Sequence, residues 1–306
     1  MAGPSESAPG GVSMTEPPPS WPEAAALLGR VLGEPVVGGE PMTPGWSSRT
    51  TWAARGQRTG PLVVKARGGE RAREKTAWSA ARLPLLGARG YPVPTILWHG
   101  MASDQWHLTV QRRLPGRPLT RLPGPLLDEM LALIERQADA GIAADDRDFA
   151  GYLANVLFDD WDEVWADAAR AAGPLCGRIR RWLTPVWGLR LPSADFAHND
   201  LNLSNILSDG ERITGVVDWD EFALGSRALD LVVLALDCEE LGDTAAADRL
   251  LTAATSAAGP AGLRCLVSYR ALASLAENTR EGLSPHAAIE AITSILDRLQ
   301  AASRGG

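Results

Sequence analysis

The stretch HNDLNLSNILSDGERITGVVDWDEF, residues 198–222, predicts a short hairpin flanked by polar groups. Asp209 and Gly210 form a turn pair between two apolar runs, so the runs are expected to pair as antiparallel strands. This pairing would return the chain so that Asp218 lies beside Asn205. Carboxylate and amide groups supply the oxygen ligands that magnesium takes in proteins. The sequence therefore predicts a magnesium site formed by Asn205 and Asp218.

The same stretch follows the order of a kinase catalytic loop, H-R-D-L-x-x-x-N followed by a metal-binding D-F-G. His198, Asp200, Leu201 and Asn205 fill the loop pattern, and VVDWD stands in place of D-F-G. Transfer of a phosphoryl group requires an aspartate at the attacking hydroxyl and magnesium ions that bridge the phosphates. We therefore interpret Asp200 as the catalytic residue and His198 as a hydrogen-bonding support of its loop.

A lysine far upstream provides an independent indication of a kinase. Kinases place a lysine on the third strand and pair it with a glutamate on the next helix. The chain has only two lysines, Lys65 and Lys75, and Lys65 ends the apolar run PLVV. Because an ammonium and a planar guanidinium are not interchangeable, a lysine in this arginine-rich chain suggests a function. Glu74 is the expected partner of Lys65, and Glu70 is the alternative.

The residue pattern becomes mainly helical from about residue 123, and the boundary between two lobes is expected near residues 112–122. Before it, short segments rich in β-forming residues are separated by Gly and Pro, and residues 21–33 and 70–87 have helical spacing. These patterns predict an α+β protein with a small antiparallel β lobe, residues 21–112, and a larger, mostly helical lobe, residues 113–306. Residues 1–20 are rich in Pro, Gly and Ser and are predicted to form a disordered tail.

From about residue 36 to residue 300 the chain resembles the aminoglycoside phosphotransferase-type kinases, which include antibiotic, choline and homoserine kinases. The motif H-x-D-L-x-x-x-N, followed by two apolar residues and D-W, carries the resemblance. Asn199 stands where the family usually has Gly, whereas Gly225 and Asp230 match a later family pattern and Ser226 departs from it. The resemblance implies a bilobal, protein-kinase-like fold and implies that Asp230 anchors the catalytic loop.

The resemblance also implies where a nucleotide binds. The loop TPGWSSRTT, residues 43–51, would lie over the phosphates, and backbone groups of VQRRLPG, residues 110–116, would meet the base. The expected cofactors are magnesium and ATP, with GTP left open. Besides Lys65 and Glu74, the candidate nucleotide-binding residues are Gly45, Ser47, Ser48, Gln111 and Arg113.

Charge is distributed unevenly along a chain whose net charge is −7. Ser47 to Arg121 contains 14 basic and 3 acidic residues, whereas Asp128 to Asp167 contains 12 acidic and 2 basic residues. An acidic surface concentrates cations and repels nucleic acid, so the expected acceptor is an aminoglycoside or a basic peptide of the viomycin or capreomycin kind. Ordinary solvated helix faces are the alternative interpretation. The candidate acceptor-binding residues are Asp159, Asp160, Asp162 and Asp220, the last of which could instead bind a second metal or cap a turn.

Two other functions stay open at this point. A metabolic kinase acting on choline, homoserine or a sugar would share every motif, and a quaternary amine would require an aromatic cage. A pseudokinase would normally have lost Lys65, Asp200 or Asp218, and none of the three is lost. The sequence has no apolar run of about 18 residues and no signal peptide, so we expect a cytoplasmic protein that spans no membrane. We expect a monomer or a weak dimer.

Overall fold

The computed structural model describes residues 16–42, 50–140, 149–159, 162–192 and 194–305. The chain divides into two units that are described separately. The N-terminal unit comprises residues 1–84 and 94–113, and the C-terminal unit comprises residues 85–93 and 114–306.

A five-stranded antiparallel sheet forms the N-terminal unit, with strand order β1-β2-β3-β5-β4. Successive side chains of a strand point to opposite faces, and in the third strand Leu62, Val64 and Ala66 are fully buried in the core. Lys65 therefore points to the opposite face of the sheet. The predicted β lobe with a helix after the third strand is confirmed. Its elements are α1 (Trp21–Leu32), β1 (Val36–Pro41), β2 (Thr51–Gly56), β3 (Gly60–Gly68), α2 (Glu70–Ala88), β4 (Ile96–Met101) and β5 (Trp106–Arg112).

The residues just before α1 are held against the same unit. The backbone carbonyl of Glu16 accepts a hydrogen bond from the indole N–H of Trp106 at 3.1 Å, and its carboxylate accepts one from Ser103 Oγ at 2.6 Å. Ser20 and Glu23 form a capping box at the start of the helix. The predicted disordered tail, residues 1–20, thus ends in a segment with defined contacts, and residues 1–15 lie outside the described part of the chain.

Helices dominate the C-terminal unit, and α6 is its central element. Nearly every residue of α6 is buried, from Ala228 to Leu236 and again at Cys238, and the helix packs against α7 and α8. The helices are α3 (Gly124–Glu135), α4 (Phe149–Phe158), α5 (Asp162–Leu183), α6 (Ala228–Glu240), α7 (Thr244–Glu281) and α8 (His286–Gly305). The short strands are β6 (Arg117–Pro118), β7 (Asp195–Ala197), β8 (Ile206–Ser208), β9 (Ile213–Val216) and β10 (Ala223–Gly225).

Helices α5 and α7 are each interrupted by a residue with a non-helical backbone. In α5 this residue is Ala172, with φ −153° and ψ 63°, two residues before Pro174. In α7 it is Gly259, with φ 72° and ψ 167°, directly before Pro260. Proline removes a backbone donor and clashes with the preceding turn, so an interruption is expected at each position. Each of the two elements therefore consists of two helical segments joined at a kink.

Helix α7 is the one helix among the described residues that is long and apolar enough to cross a membrane by length and composition. Its most apolar 18-residue window has a mean hydropathy of 1.2, and 44% of that window is buried inside the protein. Leu266, Leu272 and Leu275 lie within the core, where α7 packs against α5 and α6. We therefore assign the apolar face of α7 to the protein core.

Candidate active site

The predicted hairpin of residues 206–216 is present. Strands β8 and β9 pair antiparallel, with Ile206 opposite Val216, and a four-residue turn joins them. The Asp209 carboxylate accepts the N–H groups of Glu211 and Arg212, each at 3.0 Å. Local turn chemistry therefore sets the register of the two strands.

The hairpin brings the predicted metal ligands together. The N–H of Val217 donates to the carbonyl of Asn205 at 2.9 Å. Asp218 is the next residue, so it lies close to Asn205. The Asn205 amide nitrogen donates to the carbonyl of Asp200 at 2.9 Å, which leaves the amide oxygen as an available ligand. Asp218 has a φ of 63°, a left-handed conformation that costs free energy in a residue other than Gly and that clusters at functional sites.

These oxygen donors fit a magnesium ion. Magnesium prefers oxygen ligands and is usually held by one or two carboxylates together with substrate phosphates, so a protein cage of many ligands is not required. Asn205 and Asp218 supply one amide oxygen and one carboxylate, and no cluster of three or more His, Cys, Asp or Glu side chains suited to a metal occurs in the described part of the chain. Their role as metal ligands stays a prediction.

His198 supports the catalytic loop, as the sequence suggests. Its Nε2 lies 2.8 Å from the carbonyl of Val217, and its Nδ1 lies 3.3 Å from the N–H of Asp200. These partners assign the proton to Nε2, because Nδ1 faces a donor and Nε2 faces an acceptor. The ring is fully buried and packs on Trp219 with ring centroids 4.5 Å apart. His198 therefore links the residue before Asp218 to Asp200.

Asp230, on helix α6, anchors the start of the loop. Its carboxylate accepts the N–H of His198 at 2.9 Å, the N–H of Asn199 at 2.8 Å and the side-chain amide of Gln137 at 2.9 Å. The side chain is fully buried. Burial raises the pKa of Asp230, against the opposing effect of His198 and of these hydrogen bonds. A buried carboxylate with three donors fixes the start of the loop in one position.

A second group of charged residues lies close to the loop and is missed by the sequence motifs. The Asp237 carboxylate, on α6, accepts the N–H of Leu203 at 2.8 Å. Arg270, on α7, lies 3.4 Å from the Glu277 carboxylate and interacts electrostatically with Asp200 and Asp237. The only signal in the sequence is the presence of charged residues within apolar helical segments, which does not reveal their partners.

The charge of Asp237 gives the fold a pH dependence. Burial raises the pKa of Asp237 to about 6, above the value of about 3.9 for an unfolded chain. Between these values the folded state binds more protons, so the free energy of unfolding should fall as the pH rises through about 6. Asp237→Asn, which keeps an acceptor for Leu203, should remove this decrease.

Urea unfolding at pH 5 and at pH 7.5 measures the effect. The variant should gain stability relative to the wild type at the higher pH. Parallel pH profiles for the two proteins would exclude Asp237 as the group responsible.

The predicted acceptor-binding aspartates are only partly described. Asp159 is exposed at the end of α4, and Asp220 lies half-buried in the 3₁₀ turn Trp219–Glu221. Asp160 and the side chain of Asp162 lie outside the described residues. Close to Asp200 the structure instead places Glu277 and Asp237, both of which interact with it electrostatically. These two carboxylates are acidic groups that the charge distribution along the sequence did not single out.

Lys65 lies in the N-terminal unit, in the middle of the sheet. It is half-buried in β3, opposite Thr51 on one side and Thr109 on the other. Glu74 is exposed on α2, and Glu70 pairs with Arg73 at 2.8 Å. The pairing of Lys65 with Glu74 stays a prediction.

The other predicted nucleotide ligands differ in how far the structure describes them. Gly45, Ser47 and Ser48 lie outside the described residues. Gln111 is buried at the end of β5, and the N–H groups of Arg112 and Arg113 donate to the carbonyls of Thr95 and Pro61. Since these two N–H groups are engaged within the sheet, a base would have to bind other backbone groups of the segment.

Replacing Lys65 tests the lysine argument. Lys65→Ala should weaken nucleotide binding by roughly 10- to 100-fold, because a hydrogen bond to a charged group contributes about 1.5–3 kcal/mol. Lys65→Arg should restore binding only in part, since the guanidinium places its charge differently. Calorimetric titration with AMP-PNP measures both variants, and Lys75→Arg on α2 is the control. An arginine variant that binds as tightly as the wild type would contradict the argument.

Comparison with known proteins confirms the resemblance. The sequence model of the phosphotransferase enzyme family matches residues 38–266. Viomycin phosphotransferase of Streptomyces vinaceus is 30% identical over 160 residues, which cover 47% of this chain and 56% of that protein. Hygromycin-B 4-O-kinase of Escherichia coli is 26% identical over 161 residues, 46% of each chain. The chain thus spans about half the length of the relatives it matches.

Solved structures show the same fold. A thermostable mutant of aminoglycoside phosphotransferase APH(4)-Ia, without ligands, matches 91% of this chain and 99% of its own with a TM-score of 0.63 and 16% identity. The GDP complex of aminoglycoside 2'-phosphotransferase-IIIa matches 93% of this chain and 100% of its own with a TM-score of 0.60 and 15% identity. At this identity the likeness establishes the α+β, protein-kinase-like fold. Because the family model covers most of the sequence, this chain belongs to the phosphotransferase enzyme family.

Proposed function

We propose that this chain is an ATP- and magnesium-dependent O-phosphotransferase whose acceptor is a cationic small molecule, an aminoglycoside or a basic peptide antibiotic. One observation carries the proposal: the loop with Asp200 and the turn with Asp218 are joined through His198 and Val217. In this arrangement the Asp200 carboxylate would serve the acceptor, and the neighbouring oxygens of Asn205 and Asp218 would serve a metal. Membership of the family supports the same reaction.

The residues of the proposed site have separate roles in this reaction. Asp200 would orient the acceptor hydroxyl and accept its proton, while Asn205 and Asp218 would hold magnesium. Magnesium, when bound, supplies positive charge that stabilises the transferred phosphoryl group. Lys65 would contact the nucleotide phosphates. His198 and Asp230 would keep Asp200 in position through the contacts described above.

ATP is the proposed donor, with GTP as the alternative. Thermostable mutants of APH(4)-Ia have been solved as ternary complexes with hygromycin B and either ADP or AMP-PNP. Aminoglycoside 2'-phosphotransferase-IIIa has been solved with GDP. Both nucleotides therefore occur on this fold, and the donor has to be decided by direct competition.

The charges around Asp200 support a cationic acceptor. Asp237 and Glu277 lie near enough to Asp200 to interact with it electrostatically, and Glu221 interacts with Glu277. Arg270 and Arg280 offset part of this charge, but the carboxylates outnumber them, so the potential near Asp200 is negative and attracts a polycation. The two relatives act on viomycin and on hygromycin B by name. Of the known acceptor classes in the family, cationic antibiotics fit these charges.

A quaternary amine such as choline is the second candidate acceptor. Phe149, Tyr152 and Tyr269 form an aromatic group with ring centroids 5.3–6.2 Å apart, and Tyr269 directly precedes Arg270. Aromatic faces bind quaternary ammonium groups. The same tilted and T-shaped contacts also occur in ordinary aromatic packing. The panel below therefore includes choline.

Release of ADP or GDP in the presence of a panel of acceptors tests the proposal. The panel contains aminoglycosides, cyclic basic peptides, choline and homoserine, each with ATP or GTP and with magnesium or with chelator. A cationic antibiotic should give the highest kcat/KM, and its KM should rise with salt because ions screen the carboxylates. A best acceptor that is uncharged or anionic would contradict the proposal, as would full activity in chelator.

Location and assembly complete the proposal. We place the protein in the cytoplasm, where ATP is available, as a monomer or weak dimer. Its three cysteines, Cys176, Cys238 and Cys265, are free and buried, which suits a reducing compartment.

A further inference from the structure

Asn199 adopts a backbone conformation that Gly would adopt more easily. Its φ is 67°, and only Asp139 and Asp218 share a positive φ among the described residues other than Gly. Asn tolerates this left-handed region better than most residues, but Gly does so without a steric penalty. The backbone alone therefore does not explain why the chain has an asparagine between His198 and Asp200.

The side chain of Asn199 makes contacts that Gly cannot make. Its amide nitrogen donates to the carbonyl of Glu221 at 2.9 Å and to that of Ala197 at 3.3 Å. Ala197 ends β7, which pairs with β10 from Ala223 onward. The Asn199 side-chain amide thus adds a hydrogen bond just beyond the end of the β7–β10 pairing. Glu221 is the last residue of the 3₁₀ turn that follows Asp218.

The amide oxygen of Asn199, unlike its amide nitrogen, is in an unfavourable environment. Among the described residues no donor lies within hydrogen-bond distance of the buried amide oxygen of Asn199, and an unmet buried acceptor destabilises the folded state. Asn199 therefore combines a strained backbone with an unsatisfied oxygen, although Gly would avoid both. Such a residue, placed within a catalytic loop, indicates a gain in function rather than in stability.

We propose that Asn199 is a positioning residue that clamps the turn Trp219–Glu221 and thereby holds Asp218 in its metal-binding orientation. The clamp acts from the second residue of the catalytic loop, so one side chain ties Asp200 and Asp218 into a single unit. His198 fixes the start of the turn through Val217, and Asn199 fixes its end through Glu221. This inference rests on the proposed function, in which Asp218 binds magnesium.

Asn199→Gly removes the side-chain contact with Glu221 while it keeps the backbone conformation. The glycine keeps the left-handed conformation and the N–H bond to Asp230 but loses the bond to Glu221. Residues that support metal ligands typically change metal affinity by 10- to 100-fold when replaced, so Mn²⁺ should bind roughly 10-fold more weakly. The probe is Mn²⁺ titrated in the presence of AMP-PNP, followed by calorimetry. The unfolding temperature should not fall.

Two further variants make the result specific. Asp139→Gly relieves a left-handed φ of 49° elsewhere in the C-terminal unit and should leave Mn²⁺ binding unchanged. Asn199→Ala also lacks the amide donor and adds no charge near the metal ligands, so it should weaken Mn²⁺ binding as the glycine does. Since Mn²⁺ and AMP-PNP binding is measured directly, the result does not depend on knowing the acceptor.

The outcomes distinguish the inference from the proposed function. If the wild type binds Mn²⁺ with AMP-PNP and Asn199→Gly binds it within twofold, the clamp is wrong and the proposed function stands. If Asp139→Gly weakens binding as much as Asn199→Gly, added flexibility is the cause and the clamp is again wrong. If the wild type binds no Mn²⁺ with AMP-PNP, the proposed metal-dependent reaction itself fails.

Discussion

Asp200→Asn is expected to lower kcat by about 10²–10⁴-fold, the usual contribution of a general base. The asparagine keeps the shape of the side chain but cannot accept the proton of the acceptor hydroxyl. Within the loop Asp200 contacts His198 Nδ1 and Asn205 through its backbone, and its Oδ1 accepts a hydrogen bond from Asn202 at 3.4 Å; an asparagine keeps all three contacts. Nucleotide affinity should therefore stay within about twofold of the wild type, since the lost interaction belongs to the reaction step.

The measurement is steady-state turnover with the best acceptor, together with calorimetric titration of AMP-PNP. Asp139→Asn is the matched control, because it makes the same carboxylate-to-amide change at an unrelated position of the C-terminal unit. A turnover within threefold of the wild type would remove Asp200 from the mechanism. Equal losses in turnover and in nucleotide binding would indicate a distorted loop rather than a missing base.

Asp230→Ala should produce the largest loss of stability. It removes the acceptor of three hydrogen bonds and leaves the donors of His198, Asn199 and Gln137 buried without partners. Each unmet buried donor costs about 1–3 kcal/mol, so the free energy of unfolding should fall by about 3 kcal/mol or more. Turnover should fall too, because the start of the catalytic loop is no longer fixed.

Urea unfolding measures this loss. Asp128→Ala is the control, because Asp128 makes an exposed ion pair with Arg249 and such pairs contribute about 1 kcal/mol or less. Asp230→Asn offers a second test if the alanine variant does not fold, since it keeps one acceptor oxygen and should lose less stability. Unfolding curves for Asp230→Asn and for the wild type that coincide, with equal turnover, would show that the carboxylate is not an anchor.

Local chemistry explains what could be predicted for the site. The turn pair Asp209–Gly210 and the alternating strands determine the hairpin, and the hairpin determines that Asn205 and Asp218 come together. All of these groups lie within about 20 residues of one another, so near-neighbour rules are sufficient. The β lobe is predictable for a similar reason, because short strands separated by Gly and Pro pair with their sequence neighbours.

The interruptions of two helices also follow from local chemistry. Pro174 and Pro260 predict breaks, and non-helical residues lie beside them at Ala172 and Gly259. Proline lacks the backbone N–H and clashes with the preceding turn, so no distant contact is needed to explain either break.

The sequence alone determined the motif, the hairpin, the β lobe and the position of Lys65 on its third strand, because these depend on neighbouring residues. Only the tertiary structure revealed Asp237 and Arg270 behind the catalytic loop, since they lie on different helices far along the chain. The tertiary structure also revealed the contacts of Asn199, which in the sequence is only a residue in place of Gly. Its left-handed φ and its bond to the carbonyl of Glu221 occur next to the pairing of β7 with β10, which joins segments more than 20 residues apart. Contacts between distant segments depend on packing and loop closure, which no short pattern of residues records.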